Sequence, residues 1–326
     1  MEFSADFFKK EVRCDFEVPE MMKRAWAAEL EVLQVVAEVC EKNGLQYFAD
    51  WGTLLGAVRH QGFIPWDDDI DICLKREEYN ELIRILPKEL PDGFVMAGMY
   101  ADSERLKAAA LCQNIRVMAD EEKWDFNDYM MRFHGFPYQR IGIDIFPLDY
   151  IPGESELAEI QKTIAAYGMT ILEHWNDFQK KGELGDRLSD MEQLCSVTIP
   201  RDGSTVNFLI RLIDSVMALY REDEADEITE YQFYIRRPGY HMKKEWYEEA
   251  VTLPFEQMEI AVPCGYREVL TAQFGDYRKL VREDRGHNYP FYGCMEQELV
   301  KQIRAVGFTG TVEEFCQKVS SGELRV

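Results

Sequence analysis

Alternating acidic and aliphatic residues at positions 69–74 (DIDICL) constrain the fold of this chain more than any other feature. Side chains alternate between the two faces of a β-strand, so the pattern predicts a strand with Asp69 and Asp71 on one face. Helical spacing lies on both sides, over residues 20–42 and again over residues 76–86. We therefore expect this strand to lie in a sheet that is flanked by helices.

Short β-prone segments and helical stripes divide the rest of the chain. Further strands are predicted at residues 45–52, 94–100, 109–119 and 140–151, with a short helix after the first of them. Beyond residue 152 the apolar residues follow helical spacing, over residues 157–178 and 206–220. The sequence predicts an α+β fold, with a mixed-sheet catalytic core at residues 1–152 and a mainly helical region at residues 153–326. No linker marks the boundary.

The charge balance excludes several classes of partner. Lys and Arg number 37 against 60 Asp and Glu, which gives a net charge of −23. This surplus of acids disfavours nucleic acids and anionic membranes, because both are bound through clustered cations. There is no apolar stretch of about 18 residues and no signal-peptide pattern, so we expect a cytoplasmic protein without an integral membrane segment. The eight cysteines form no CxxC pair and are expected to be free thiols.

Residues 52–74 combine an anion-binding turn with closely spaced carboxylates. Two carboxylates on one strand face repel each other unless a cation lies between them, and Mg²⁺ prefers such oxygen ligands. Gly52 and Thr53, at a predicted strand-to-helix turn, offer backbone N–H groups and a hydroxyl to a phosphate. Asp144 lies between two isoleucines in a second predicted strand, and is either a third ligand or general base, or an edge-strand residue facing water. Together these residues indicate phosphoryl-transfer chemistry.

Simpler interpretations apply to several neighbouring residues. A run of acids by itself is typical of a surface turn or a calcium loop, but the aliphatic alternation would then serve no purpose. Asp67 and Asp68 are expected to cap or shape the turn after Trp66, with direct metal binding as the alternative. Asp149 is expected to be a turn residue or to support a ligand. His60 and His134 have no second ligand at metal-binding spacing and are expected to be structural.

The order of these motifs resembles the LicD family, which includes LicD-type phosphorylcholine transferases and, more distantly, fukutin-like proteins. The resemblance rests on GTLLG at residues 52–56, RH at 59–60, GFIPW at 62–66 and DDDID at 67–71. It continues with DIFP at 144–147, LPFEQMEIAVPCGYREVLTAQFGDY at 253–277 and RGH at 285–287. It covers about residues 20–290 and is weakest between residues 155 and 245.

The resemblance implies a nucleotidyltransferase-like fold and a cytidine-diphosphate alcohol donor, for many members CDP-choline. The phospho-alcohol would pass to a sugar hydroxyl of a surface glycan precursor or lipid-linked oligosaccharide, which could bring the protein close to the inner membrane face. Carried over by position, Asp69, Asp71 and Asp144 would be catalytic and would bind Mg²⁺ or Mn²⁺. The substrate-binding positions would be Gly52, Thr53, Arg59 and His287.

Two rival functions stay open from sequence. A nucleotidyltransferase that moves a nucleotide monophosphate from a triphosphate to a small hydroxylated acceptor would use the same fold and carboxylates. A non-catalytic glycan-binding protein would have no need of crowded carboxylates.

A choline head group would also need an aromatic cage. The candidates for such a cage, all of which could equally be core or surface residues, are Trp51, Trp66, Tyr138 and Tyr240.

Overall fold

The structure is a computed structural model that describes residues 1–107, 114–153, 155–237, 239–282, 293 and 296–325. An N-terminal hairpin pairs β1 (Glu11–Arg13) with β2 (Phe16–Val18) and leads into the long helix α1 (Glu20–Asn43). Helix α1 ends at Gly44, whose φ of 65° lies in the left-handed region that glycine adopts without strain. The predicted first helix is confirmed within one residue at its C-terminal end.

A mixed sheet forms the centre of the molecule. Its elements follow in chain order as β3 (Tyr47–Ala49), α2 (Trp51–His60), β4 (Asp71–Lys75), α3 (Arg76–Glu89), β5 (Phe94–Ala97), α4 (Glu104–Lys107), β6 (Ile115–Ala119), α5 (Phe126–Arg132) and β7 (Gly142–Ile151). The strands lie in the order β3, β4, β7, β6, β5. Strands β4 and β7 are parallel, and the other neighbours are antiparallel. This confirms the predicted α+β fold with a mixed sheet.

The region after residue 152 supplies strands as well as helices. It contains α6 (Glu156–Glu173), α7 (Trp175–Lys181), α8 (Leu184–Cys195), α9 (Thr205–Met217), β8 (Glu227–Thr229), α10 (Tyr231–Arg236), β9 (Met242–Lys243), β10 (Ala250–Phe255), β11 (Met258–Pro263), α11 (Tyr266–Phe274), α12 (Glu296–Ala305) and α13 (Val312–Ser320). Strand β8 pairs with the C-terminal end of β7 and so extends the central sheet. Strands β10 and β11 form a separate hairpin.

Two apolar cores hold these elements together. The larger core runs from the N-terminal segment through the sheet and the β10–β11 hairpin to α13. A smaller core lies among α6, α8, α9 and α10, and it includes Ile171, Leu209 and Ile213. Residues after position 152 thus contribute to both cores. None of the helices in the described ranges is long and apolar enough to cross a membrane.

Three predicted elements have different bounds in the structure. The strand expected at residues 45–52 is shorter, because Asp50 caps α2 by accepting the N–H of Trp51 at 2.8 Å. Strand β4 begins only at Asp71, whose N–H donates to the Thr53 hydroxyl at 2.9 Å instead of to a strand. The helical stripe over residues 157–178 is divided at His174 between α6 and α7. Residues 109–113 of the strand predicted at residues 109–119 lie outside the described residues.

A buried ion-pair network joins the sheet to the smaller helical core. Arg76, the first residue of α3, donates to Asp149 of β7 from Nε at 2.6 Å and lies 3.1 Å from a carboxylate oxygen of Asp214 of α9. The hydroxyl of Tyr100 also donates to Asp214. Burial raises the pKa of Asp149 to about 6 although Arg76 acts to lower it. Asp149, expected to be a turn residue or to support a ligand, is therefore a strand residue that pairs with a buried arginine.

Candidate active site

The predicted metal-binding carboxylates meet where β4 and β7 run side by side. Asp71 of β4 pairs in register with Asp144 of β7, so their Cα atoms are about one inter-strand spacing apart, about 4.8 Å. Directly paired residues of neighbouring strands point to the same face of a sheet. The N–H of Asp144 donates to the carbonyl of Ile70 at 3.0 Å, which fixes this register. Asp69 precedes the strand, and both Asp69 and Asp71 line a cleft at this end of the strand.

Burial, and then the charges of neighbouring acids, raise the pKa values of Asp67, Asp71 and Asp144. Burial is the largest cause for Asp71, followed by the charges of Asp69 and Asp144, and its pKa lies well above the usual value. Burial also raises the pKa of Asp144, against the opposing effect of Arg116. The pKa of Asp67 is raised by burial and then by the charge of Asp69. More negative charge is concentrated here than the neighbouring side chains neutralise.

The donor set fits a hard divalent cation. Asp67, Asp68 and Asp69 each place a carboxylate oxygen within 4.8 Å of the others. Beneath them lies Glu29 of α1, which is 3% exposed and has an Oε2 atom with no hydrogen-bond partner among the described residues. Burial and then the charge of Asp69 raise its pKa well above the usual value. Crowded carboxylate oxygens with little cationic compensation are the ligands that Mg²⁺ and Mn²⁺ take.

A cleft of about 410 Å³ opens in front of these carboxylates. Asp67 lines it, so the structure gives this residue a place in the site beyond the turn-shaping role expected from sequence. Gly52 also lines the cleft, and a Cβ atom at this position would overlap the Asp67 carboxylate. The glycine is needed here for close approach of the α2 N-terminus to the acids.

Thr53 and Arg59, both predicted to bind phosphate, occupy different surroundings. Thr53 is buried, and its hydroxyl accepts the Asp71 N–H, so that it holds the strand that carries the acids. Arg59 lines the cleft and donates to His60 Nε2 at 2.9 Å and to the Tyr277 carbonyl at 3.1 Å. No carboxylate within the described ranges pairs with Arg59, which leaves its charge available to an anion. His287, the remaining predicted contact, lies outside the described residues.

Two buried acids behind the cleft were missed by the sequence reasoning. Asp50 accepts from Gln273 Nε2 at 2.6 Å, and Glu230 accepts from Trp51 Nε1 at 2.6 Å. Burial raises the pKa of both carboxyl groups, and a hydrogen bond between them requires a shared proton. An acid directly before a helix is a signal for a cap and could have identified Asp50. No local pattern indicates Glu230, which lies 179 residues beyond Trp51.

The four cage candidates separate into different environments. Trp51 and Trp66 line the cleft, whereas Tyr240 is buried and stacks on Trp51 with 5.6 Å between ring centroids. Tyr138 packs against Phe136 and is not among the residues that line the cleft. The guanidinium of Arg237 lies 5.3 Å from the centre of the Trp51 ring. A cation of the chain itself thus already covers this aromatic surface.

The sequence of this chain is similar to those of known proteins. Residues 44–175 match the family model described as LicD/FKTN/FKRP, nucleotidyltransferase domain. The Haemophilus influenzae protein named lipopolysaccharide cholinephosphotransferase LicD is 23% identical over 261 residues, which span 78% of this chain and 90% of that protein.

Shorter similarities concentrate on part of this chain. An uncharacterized protein of Rickettsia prowazekii is 35% identical over 105 residues, which are 31% of this chain and 38% of that protein. The human protein named ribitol 5-phosphate transferase FKRP is 42% identical over 48 residues, 15% of this chain and 10% of that protein. The matched LicD domain contains Asp69, Asp71 and Asp144 but ends before Arg237 and Lys279, which also line the cleft.

The close approach of Gly52 to Asp67 gives a first prediction. In Gly52→Ala the new methyl group displaces the Asp67 carboxylate, so we expect Mg²⁺ to bind about tenfold more weakly or worse. Isothermal titration of metal-free protein with Mg²⁺ measures this. Gly185→Ala is a matched control, because a Cβ at that helical position meets nothing within 4 Å. Unchanged Mg²⁺ affinity in Gly52→Ala would contradict the assignment of Asp67 to the metal site.

The raised pKa of Asp71 gives a second prediction, for metal-free protein. Its pKa in the fold exceeds the usual value of 3.8, so the folded chain keeps a proton that the unfolded chain has lost. The contribution of Asp71 to the free energy of unfolding therefore falls as the pH rises from the usual pKa to the raised pKa. Asp71→Asn lacks this loss, and its melting temperature should exceed that of the wild type by a margin that grows from about pH 4.5 to about pH 8. A margin that shrinks over this range would contradict the shift.

Proposed function

We propose that this protein is a metal-dependent phosphotransferase that moves a phospho-alcohol from a CDP-alcohol to a sugar hydroxyl of a cell-surface glycan precursor. The observation that carries the proposal is the pairing of Asp71, which lines the cleft, with Asp144 of the neighbouring strand. The same cleft contains Arg59, whose charge no carboxylate in the described part of the chain neutralises. These carboxylates would hold a divalent metal ion, which together with the charge of Arg59 would stabilise the negative charge of a transferring phosphate.

The relatives support the class of reaction. The Haemophilus influenzae protein is named for transfer of cholinephosphate and for lipopolysaccharide, and the human protein is named for transfer of ribitol 5-phosphate. Both names describe movement of a phospho-alcohol. A phospho-alcohol is therefore the group that we assign to this chain, with phosphocholine as the first to test and a lipopolysaccharide-type glycan as the acceptor.

The side chains have distinct parts in the proposed reaction. Asp69, Asp71 and Asp144 would hold Mg²⁺ or Mn²⁺, which when bound spreads the negative charge of the donor phosphates. Gly52 presents the N-terminus of α2 to the cleft, where backbone N–H groups favour an anion. Arg59 neutralises a phosphate oxygen. Thr53 keeps Asp71 in place through its backbone N–H.

Bond formation and proton movement can be written for this site. The acceptor hydroxyl oxygen attacks the phosphorus that bears the alcohol, the bond from that phosphorus to the bridging oxygen breaks, and CMP leaves. A carboxylate takes the hydroxyl proton. Asp144 is suited to this step if it is not occupied as a ligand, because burial raises its pKa and Asn114 Nδ2 orients it at 2.7 Å.

A second candidate, nucleotidyl transfer, is favoured by the description of the matched family as a nucleotidyltransferase domain. The products separate the two reactions. Incubation with Mg²⁺, a glycan acceptor and either CDP-choline and other CDP-alcohols or the nucleoside triphosphates, followed by separation of nucleotides, tests this. We expect CMP from a CDP-alcohol. Pyrophosphate from a triphosphate, with no CMP from any CDP-alcohol, would reject the proposal in favour of nucleotidyl transfer.

A further inference from the structure

The cleft wall contributed by the region after residue 152 carries two cations that the reaction above does not use. Arg237 directly follows α10, and Lys279 follows α11. In the described ranges neither side chain has an ion pair, although the chain has 60 acidic residues and Asp276 lines the same wall. In a protein with a net charge of −23, cations left unpaired beside a reaction cleft indicate an anionic ligand.

Arg237 differs from its neighbour in sequence. Arg236 turns to α6 and pairs with Glu173 at 2.5 Å. Arg237 instead lies on aromatic rings, with its guanidinium carbon 5.3 Å from the Trp51 centroid, 5.4 Å from that of Phe233 and 6.0 Å from that of Tyr240. Contact with ring faces orients a guanidinium without neutralising it or using its N–H donors. The five donors of Arg237 are thus available to a ligand in the cleft.

The aromatic support of Arg237 is itself fixed to the catalytic turn. Trp51 is the first residue of α2, with a φ of 42°, a left-handed conformation that is rare for such a side chain. Its indole N–H donates to the buried carboxyl of Glu230, which also accepts from the Tyr240 hydroxyl at 3.3 Å. The position of Arg237 is therefore coupled to the turn that carries Gly52, which faces the acids.

We propose that Arg237 binds a phosphate oxygen of the donor diphosphate, so that a residue outside the LicD-family domain completes the donor site. The inference rests on the proposed function for the identity of the donor. A diphosphate carries two charged phosphates, and the leaving CMP gains charge as the bond breaks. A metal ion held by the carboxylates would neutralise one of the two phosphates. Arg237, whose guanidinium presents its N–H donors in one plane, would bind the other. Lys279 on the same wall adds to the positive potential.

Binding measurements on matched variants test the proposal without depending on turnover. Arg237→Gln removes the charge, Arg237→Lys keeps it without the planar fork, and Arg236→Gln removes the neighbouring charge. Affinities for CDP, inorganic pyrophosphate and cytidine, each with Mg²⁺, are measured by isothermal titration. We expect Arg237→Gln to weaken CDP and pyrophosphate at least about tenfold and to leave cytidine unchanged. Arg237→Lys should recover part of the loss, and Arg236→Gln should bind as the wild type does.

The outcomes separate this inference from the proposed function. Wild-type affinity of Arg237→Gln for both CDP and pyrophosphate would overturn the assignment of Arg237. An equal loss for cytidine would also overturn it, since that would indicate a general disturbance of the cleft. If pyrophosphate binding depends on Arg237 but no cytidine nucleotide binds to the wild type, the assignment of Arg237 stands and the CDP donor is wrong. Equal melting temperatures of the variants show that an exposed side chain was changed without loss of the fold.

Discussion

Asp71→Asn is expected to lower the rate of CMP release by about a thousandfold or more at saturating Mg²⁺. Asp71 is the acid at the centre of the site, because it lies in register with Asp144 and its N–H is fixed by Thr53. The amide cannot supply the charge that holds a divalent cation and keeps the donor phosphates in position. The steady-state rate with a CDP-alcohol measures the loss.

The same substitution should leave the fold intact or make it more stable. It removes a charge from a group of acids whose repulsion the metal-free fold must overcome. Asp102→Asn is a control for general loss of an acid, because Asp102 is exposed and distant in sequence from the cleft residues. Near-normal turnover of Asp71→Asn would show that the metal assignment is wrong, and loss of folding would show that Asp71 has a structural role.

Arg76→Ala is expected to destabilise the protein by about 3–5 kcal/mol. The arginine is 3% exposed and lies between the carboxylates of Asp149 and Asp214. Removing it leaves two buried acids facing each other without a counter-charge, where the sheet meets the smaller helical core. Urea unfolding monitored by tryptophan fluorescence measures the change.

Arg84→Ala is the matched control for this prediction. It removes an arginine from the same helix, but Arg84 is 71% exposed and, among the described residues, pairs only with Glu81 one turn earlier. Water and salt screen such surface pairs, which therefore add little to the stability of the fold, so the control should unfold close to the wild type. Equal effects of the two substitutions would show that the buried network does not hold the two cores together.

Local patterns predicted the parts of the site that lie within single elements. The alternation at residues 69–74 indicated the strand that begins at Asp71, although Asp69 precedes this strand, and helical spacing indicated α1 and α3 nearly to their ends. The isoleucines on both sides of Asp144 indicated a second strand, and the structure places it directly beside the first. The spacing of apolar residues along a strand or helix is set by residues that are close in sequence, so these strands and helices could be predicted from the sequence.

Contacts between distant segments could not be predicted from those patterns. The carboxyl of Glu230 meets Trp51 and Asp50 only because β8 joins the sheet beside β7. Arg237 is one of many charged residues in its region, and nothing in its neighbourhood distinguishes it from Arg236. Thr53 was expected to face a phosphate, but its hydroxyl accepts a hydrogen bond from the backbone N–H of Asp71. Each of these contacts joins residues that are far apart in the sequence, and the pattern of neighbouring residues does not show which distant segments meet in the fold.

The position of bond cleavage tests the central claim most directly. In ¹⁸O-labelled water, with Mg²⁺ and a CDP-alcohol but no sugar acceptor, water takes the place of the acceptor hydroxyl. Mass spectrometry of the two products then shows which phosphorus was attacked. Transfer of the phospho-alcohol predicts ¹⁸O in the released phospho-alcohol and unlabelled CMP. Label in CMP, with an unlabelled phospho-alcohol, would contradict the proposed reaction.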